Sequence, residues 1–306
     1  MNYEMSNKHN HAKLKRLYSP ENEIAQITAG HMQYAKHIIR TPSGEYLFAK
    51  HHDPQKFTDS VREQHSRQYL QKEHSVYTHL ATHGFVAIPA HAELFDDTAL
   101  LLEGLPYPQW QWRAPDDETQ RSYIQDTFKA LKQLQSVPVI EHALVHPAHD
   151  TLHNEGWLNY PLNKKLYAEY LNNLLDNPAE LVGNLEKLYQ EYIQGDFSQV
   201  HYFTHHDLRQ SNIAWNANHG VKIVDWSWAG AGLEQADSTS FLIDLAKSGI
   251  DVSEYSQYFN PAHALLLIGL WVEHSTWPTH GTDNTVRVHQ ARSAAVANQL
   301  FKRFGQ

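Results

Sequence analysis

Residues 205–215, HHDLRQSNIAW, place a carboxylate, Asp207, five positions ahead of an amide, Asn212. The β-prone run 200–204 precedes them, and a second apolar run, 221–224, ends on another carboxylate, Asp225. Transfer of a phosphoryl group to a hydroxyl calls for this set: a carboxylate beside the attacking hydroxyl and two oxygen ligands for a magnesium ion among the phosphates. Asp207 is the candidate for the first task. It would orient the hydroxyl and take its proton late, because a carboxylate of ordinary pKa is a weak base before charge has moved. Asn212 and Asp225 are the candidates for the metal. The competing reading is a polar turn capped by Asp207 and Asn212; the apolar run before it and the second strand ending in Asp weigh against that.

HHDLRQSN followed by VDWSWAGAG resembles the catalytic and metal-binding loops of the aminoglycoside phosphotransferase and choline kinase group, which has a protein-kinase-like fold. The group's usual form is His-Gly-Asp-Leu-x-x-x-Asn, then Ile-Asp-Trp-Glu or similar. This chain departs with His206 in the glycine position and Ser227 where glutamate often stands, and neither change touches the three chemical positions. The resemblance implies that His205 braces the loop and that an aspartate near Asp237 fixes it. It also gives Arg209 a role in neutralising the transferring phosphoryl group by bidentate contact, against a solvated loop arginine.

Leu47-Phe48-Ala49-Lys50 resembles the kinase strand whose lysine grips the α- and β-phosphates. Glu73 lies on the following helix, where that family places the lysine's carboxylate partner. Glu63 is the alternative in a different helical register, and Val76, Tyr77 and Leu80 mark the Glu73 side as the buried one. The Gly-x-Gly-x-x-Gly phosphate loop is missing, and Gly30 alone stands where a phosphate-covering turn belongs. Leu101-Leu102-Glu103-Gly104-Leu105 resembles the hinge, whose Glu103 and Leu105 backbone groups would meet the purine.

The elements that must position these residues follow from periodicity. Residues 35–41 and 45–51 read as a hairpin about Pro42-Ser43-Gly44, with Tyr46, Phe48 and Lys50 on one face. Val61, Tyr69, Val76, Tyr77 and Leu80 fall on helical spacing over residues 59–83, with Gly84 as the stop. Strands are expected at 92–95 and 99–103, joined by Asp96-Asp97. Pro106, Pro108 and Pro115 exclude a regular helix across 104–115. Beyond it, Tyr123, Ile124, Phe128, Leu131 and Leu134 form one stripe and Leu166, Tyr170, Leu174 and Leu175 another. Leu181, Leu185, Leu188 and Tyr192 follow, with closing helices near 261–277 and 284–304. Trp226 reads as core; Trp228, Trp271 and Glu273 are candidates for an acceptor pocket, packing being the better account of the tryptophans.

The expected fold is therefore α+β, a bilobal protein-kinase-like arrangement with a small β-rich N-lobe and a larger mostly helical C-lobe. The expected division is residues 1–103 for nucleotide, 104–115 as hinge and 116–306 for catalysis and substrate, with the active site in the cleft between lobes. The chain has no cysteine, which excludes disulfides, thiolate metal sites and a cysteine nucleophile. Its 23 histidines show neither HExxH nor zinc spacing. A net charge of −9 argues against nucleic acid or an anionic membrane as partner. The polar opening and the short apolar run 264–272 lead us to expect a cytoplasmic protein. The expected activity is a kinase acting on a hydroxyl of a small molecule, with Mg²⁺ and ATP or GTP. The alternatives are a nucleotide-binding module without transferase activity, against which the intact set of polar residues argues, and an atypical protein kinase, against which the missing Ala-Pro-Glu segment argues.

Overall fold

The computed structural model describes residues 16–27, 34–52, 60–90, 92–140, 152–198, 202–278 and 284–305. Five antiparallel strands come first: β1 (Glu23–Ile27), β2 (Tyr34–Arg40), β3 (Tyr46–His52), β4 (Ala92–Phe95) and β5 (Ala99–Glu103), in sheet order β1-β2-β3-β5-β4. The β2–β3 turn closes on Thr41, whose N–H donates to Glu45 O at 2.9 Å, and needs Gly44 at φ 85°. Asp96 and Asp97 both take left-handed φ, 46° and 55°, in the three-residue turn between the paired Phe95 and Ala99, which Thr98 N–H closes on Phe95 O at 2.9 Å.

Alternation divides this sheet. Ile39, Leu47, Ala49, Phe95, Ala99 and Leu101 form an apolar core on one face, covered in part by Leu17 and Tyr18. Tyr34, Lys36 and Ile38 lie opposite His52, Lys50 and Phe48 on the other face. That face meets helix α1 (Ser60–Thr82): the Tyr34 hydroxyl donates to Ser66 O at 2.7 Å. Leu70, Glu73, Val76, Tyr77 and Leu80 make the buried side of α1. Gly84, at φ 72°, ends it, and Phe85 N–H returns to Leu80 O at 2.9 Å.

The helical part contains α2 (Gln120–Leu134), α3 (Leu152–Leu174), α4 (Ala179–Gln194), α5 (Ala236–Lys247), α6 (Pro261–Ser275) and α7 (Thr285–Phe304). Two short ribbons interrupt it. One pairs β7 (Ile213–Asn216) with β8 (Gly220–Ile223), the other β6 (Tyr202–Thr204) with β9 (Gly230–Gly232). All five residues of the α2 stripe are buried, and Ile124, Phe128, Leu131 and Leu134 each contribute about 1.5–3 kcal/mol of apolar transfer.

The α3 stripe is different from the expectation. Leu166 and Tyr170 are 41% and 38% exposed, and the inward face is Trp157, Tyr160, Tyr167 and Leu171. Gly156 sets this phase. A Cβ there would collide with the Gly269 carbonyl, and one on Gly269 would fall 2.5 Å from the Trp157 indole nitrogen. Helices α3 and α6 thus touch through glycine backbones, and Trp157 Nε1 donates to Leu265 O at 2.7 Å. A count of large apolar side chains does not register that contact.

Packing separates the chain into two units. One takes the described residues up to Ala130 together with Ser211–Ser227; the other takes the rest of the described residues. The chain passes from the second to the first between Gln210 and Ser211.

Lys72 on α1 is 5% exposed, and burial alone lowers its ammonium to about 8. The unfolded chain then binds more protons between about pH 8 and 10.5, so stability rises with pH across that window. Lys72→Met is expected to be more stable than the wild type at pH 7 by ~1–3 kcal/mol and to lose that rise. Urea unfolding at pH 7 and pH 10 checks this; parallel curves for the two proteins at both values would refute it.

Candidate active site

Lys50 is 4% exposed, and its ammonium is held by two carboxylates. Nζ donates to Glu73 Oε2 at 2.8 Å and to Asp225 Oδ1 at 3.0 Å, and it stands 4.8 Å from the centroid of the Tyr34 ring. A strand, a helix and the loop after β8 therefore meet at one nitrogen. Burial works to lower the Lys50 pKa, but the Asp225 and Glu73 charges more than offset it and hold the ammonium above its ordinary value. Burial pushes the Glu73 carboxyl up while Lys50 pulls it back. With the ammonium in direct contact we take the pair as ionised. Tyr77 lies by the same carboxylates, and burial first, then their charge, raises its phenol well above the usual range.

Asp225 owes its position to the β7–β8 ribbon. Ile213 pairs with Ile223, Val224 N–H donates to Asn212 O at 3.0 Å, and Ile223 N–H donates to Ala87 O at 2.8 Å. Asn212 and Asp225 are thereby neighbours at the open end of the ribbon. Asp225 has φ 66°, a left-handed backbone turning it out of the strand direction. Behind it the buried Trp226 donates from Nε1 to Ile223 O at 3.0 Å and meets Phe85 edge-on.

In the second unit the loop bearing Asp207 hangs on one buried carboxylate. Asp237 Oδ2 accepts from His205 N–H at 2.7 Å and Oδ1 from His206 N–H at 3.0 Å. Burial raises the Asp237 pKa, and the His205 charge and these two amides oppose it. Asp207 N–H donates to His205 Nδ1 at 3.2 Å, so the ring braces the loop. His206 has φ 66°, which accounts for the glycine of the resembling group, since a side chain costs ~1–2 kcal/mol there. The cost is offset locally: His206 Nε2 and Ala231 O are 2.8 Å apart in a partly buried hydrogen bond. Arg209 forms an ion pair with Asp207 at 3.2 Å, both side chains partly exposed. The loop's far end is tied by Asp244, which accepts from Gln210 N–H at 3.0 Å and from Gln210 Nε2 at 3.2 Å.

The remaining candidates stand as follows. Gly30 lies outside the described residues. Glu63 pairs with Arg67 at 3.2 Å and approaches His52 at 3.4 Å, so the partner of Lys50 is Glu73. Gly104 N–H is committed to Tyr46 O at 2.8 Å, and a Cβ on Gly104 would sit 2.7 Å from the Tyr46 carbonyl carbon. The Glu103 side chain accepts from Ala90 N–H at 2.6 Å. The Leu105 carbonyl accepts from Trp112 Nε1 at 3.0 Å. Trp226 is core as expected, whereas Trp228 is partly exposed. Glu273 is buried and accepts from the Tyr167 hydroxyl and, at 3.4 Å, from Asn159.

Tyr34 and Asp244 were not singled out by the sequence, and Tyr77 only as a marker of the buried face of α1. Tyr34 carried a signal, because alternation on β2 sets it on the face of Lys50. Asp244 carried none, being one helical carboxylate among many. Among the described residues no group of three or more histidines, aspartates or glutamates is arranged to hold a metal. Asn212 and Asp225 offer an amide oxygen and a carboxylate, the hard donors that suit magnesium when phosphates complete its shell. No helix of the described residues is long and apolar enough to cross a membrane.

The family model for the phosphotransferase enzyme family matches residues 23–264. The chain belongs to that family. Solved structures agree in fold with this phosphotransferase. A choline kinase from Streptococcus pneumoniae superposes with a TM-score of 0.60 at 12% identity, over 95% of this chain and 99% of its own. A spectinomycin phosphotransferase in complex with ADP and spectinomycin gives 0.55 at 15% identity, with 93% of each chain covered. An amicoumacin kinase in complex with AMP-PNP and Ca²⁺ gives 0.54 at 13%, over 98% and 96%. No curated protein sequence matches. The fold is the α+β, protein-kinase-like one of small-molecule kinases, with an antiparallel sheet toward the N-terminus and helices toward the C-terminus.

Asp237→Asn removes one acceptor and turns an amide group toward backbone donors. The variant is expected to lose ~1–3 kcal/mol of stability. Chemical denaturation measures it, and a loss below ~0.5 kcal/mol would show that Asp237 does not hold the loop.

Proposed function

We propose that this phosphotransferase is a kinase moving the γ-phosphate of ATP or GTP to a hydroxyl of a small molecule. The observation that carries the reading is the single ammonium shared by Glu73 and Asp225. A buried lysine with two carboxylates is a costly arrangement for stability alone, since a well-packed apolar trio of similar volume often does as well or better. It makes sense where a triphosphate and its metal are to take over part of that charge.

In this mechanism Lys50 grips the α- and β-phosphates while Glu73 fixes its direction. Glu103 C=O and Leu105 N–H hold the purine edge, and Gly30 belongs to the turn over the phosphates. Asn212 and Asp225 hold Mg²⁺, which supplies neutralisation of charge on the phosphate oxygens. Asp207 accepts a hydrogen bond from the acceptor hydroxyl and aims its oxygen at the γ-phosphorus. The new P–O bond forms as the bond to the β–γ bridging oxygen breaks; the hydroxyl proton ends on Asp207 and the nucleoside diphosphate leaves. Arg209, paired with Asp207 in the present state, turns to the transferring oxygens. The nucleotides in the names of two structures of the same fold, ADP and AMP-PNP, support this assignment of the co-substrate.

The test incubates the protein with ATP or GTP, Mg²⁺ and a pooled set of hydroxylated metabolites and aminoglycosides, and reads new phosphorylated masses. With the acceptor found, Asp207→Asn is expected to lower kcat by a factor of ~100 or more with the nucleotide KM within about threefold. Asp225→Asn is expected to remove turnover at millimolar Mg²⁺. Full turnover by Asp207→Asn would end the proposal. Tight binding of Mg·ATP with no product from any acceptor would favour a binding module instead.

A further inference from the structure

The β2–β3 register sets Lys36 directly opposite Lys50, on the same face of the sheet. Directly opposed residues have their Cβ atoms about 4.5–5.5 Å apart, and like charges there destabilise a sheet. Two cross-strand lysines are therefore an arrangement that folding alone would disfavour. Lys36 is not remote from the Lys50 cluster, since its charge acts on the Glu73 carboxyl from across the hairpin.

The sign of the cluster gives the pair a purpose. Lys50 alone faces Glu73 and Asp225, one positive charge against two negative, which is the wrong sign for a triphosphate. Lys36 cancels the excess, and a divalent ion at Asp225 then makes the site net positive. The chain also lacks the Gly-x-Gly-x-x-Gly segment whose backbone amides would bind phosphate oxygens, and Lys36 is the third residue of the strand that follows the place for it.

We propose that Lys36 is a second phosphate-binding residue, forming with Lys50 a two-ammonium clamp on one hairpin that stands in for a glycine-rich loop. The inference rests on the nucleotide reading above. It assigns to Lys36 the phosphates and not the base, because Ile38 and Phe48, the next opposed pair on that face, are apolar and suited to the purine ring.

The experiment compares Mg·ATP and adenosine binding by calorimetry in the full-length wild type, Lys36→Gln and Lys36→Arg. Lys36→Gln is expected to weaken ATP about tenfold or more and to leave adenosine within twofold, as loss of one charge-assisted contact implies. Lys36→Arg keeps the charge and is expected to stay within about threefold of wild type for ATP. Unchanged ATP affinity in Lys36→Gln overturns the clamp while leaving the nucleotide reading intact. Equal losses for ATP and adenosine overturn it too, as would failure of Lys36→Arg to retain ATP affinity. If the wild type binds neither ligand, the phosphotransferase reading falls and the clamp with it.

Discussion

A buried ammonium between two carboxylates is the constraint from which most of the first unit can be understood. Desolvating three charges costs several kcal/mol per ion unless each finds close partners. The sheet must offer Lys50 at one position on one face, α1 must turn Glu73 inward, and the β7–β8 ribbon must end where Asp225 can reach. The twofold alternation of β3 and the helical spacing of α1 meet the first two demands. The third depends on an unusual backbone, φ 66° at Asp225, and on main-chain bonds to Asn212 and Ala87.

The loop of Asp207 is built on a different principle. Its anchor is not a countercharge but the two amides of His205 and His206, both directed at the carboxylate of Asp237. A buried carboxylate bound by backbone donors fixes the main chain itself, and the side chain of Asp207 inherits that placement. His206 shows how far the local rule bends. The left-handed backbone that glycine adopts without strain is kept here by a residue whose ring finds a carbonyl on β9.

Much of this was legible in the residues. The strands 92–95 and 99–103, the stripe of α2 and the choice of Glu73 over Glu63 follow from period and turn chemistry, each with a strong local signal. The phase of α3 was not legible, because Leu166 and Tyr170 are larger and more apolar to the eye than Gly156, which decides the matter by having no side chain. Asp244 was hidden for another reason: its i,i+3 partner Lys247 marks only a helix surface, and its tie to Gln210 of the loop leaves no pattern in sequence. The apolar pair Ile38 and Phe48 was half visible, alternation giving the face and only register giving the opposition.

The crossing of α3 and α6 reaches beyond the two glycines that make it. Protein interiors yield little to compression, so a methyl group wedged in at either place must be accommodated by moving a whole helix. Trp157 sits beside one glycine, and Glu273 lies a turn beyond the other with Tyr167 and Asn159 of α3 on its carboxylate. The spacing that lets one helix satisfy a buried acid on its neighbour is thus dictated by atoms the polypeptide does not possess.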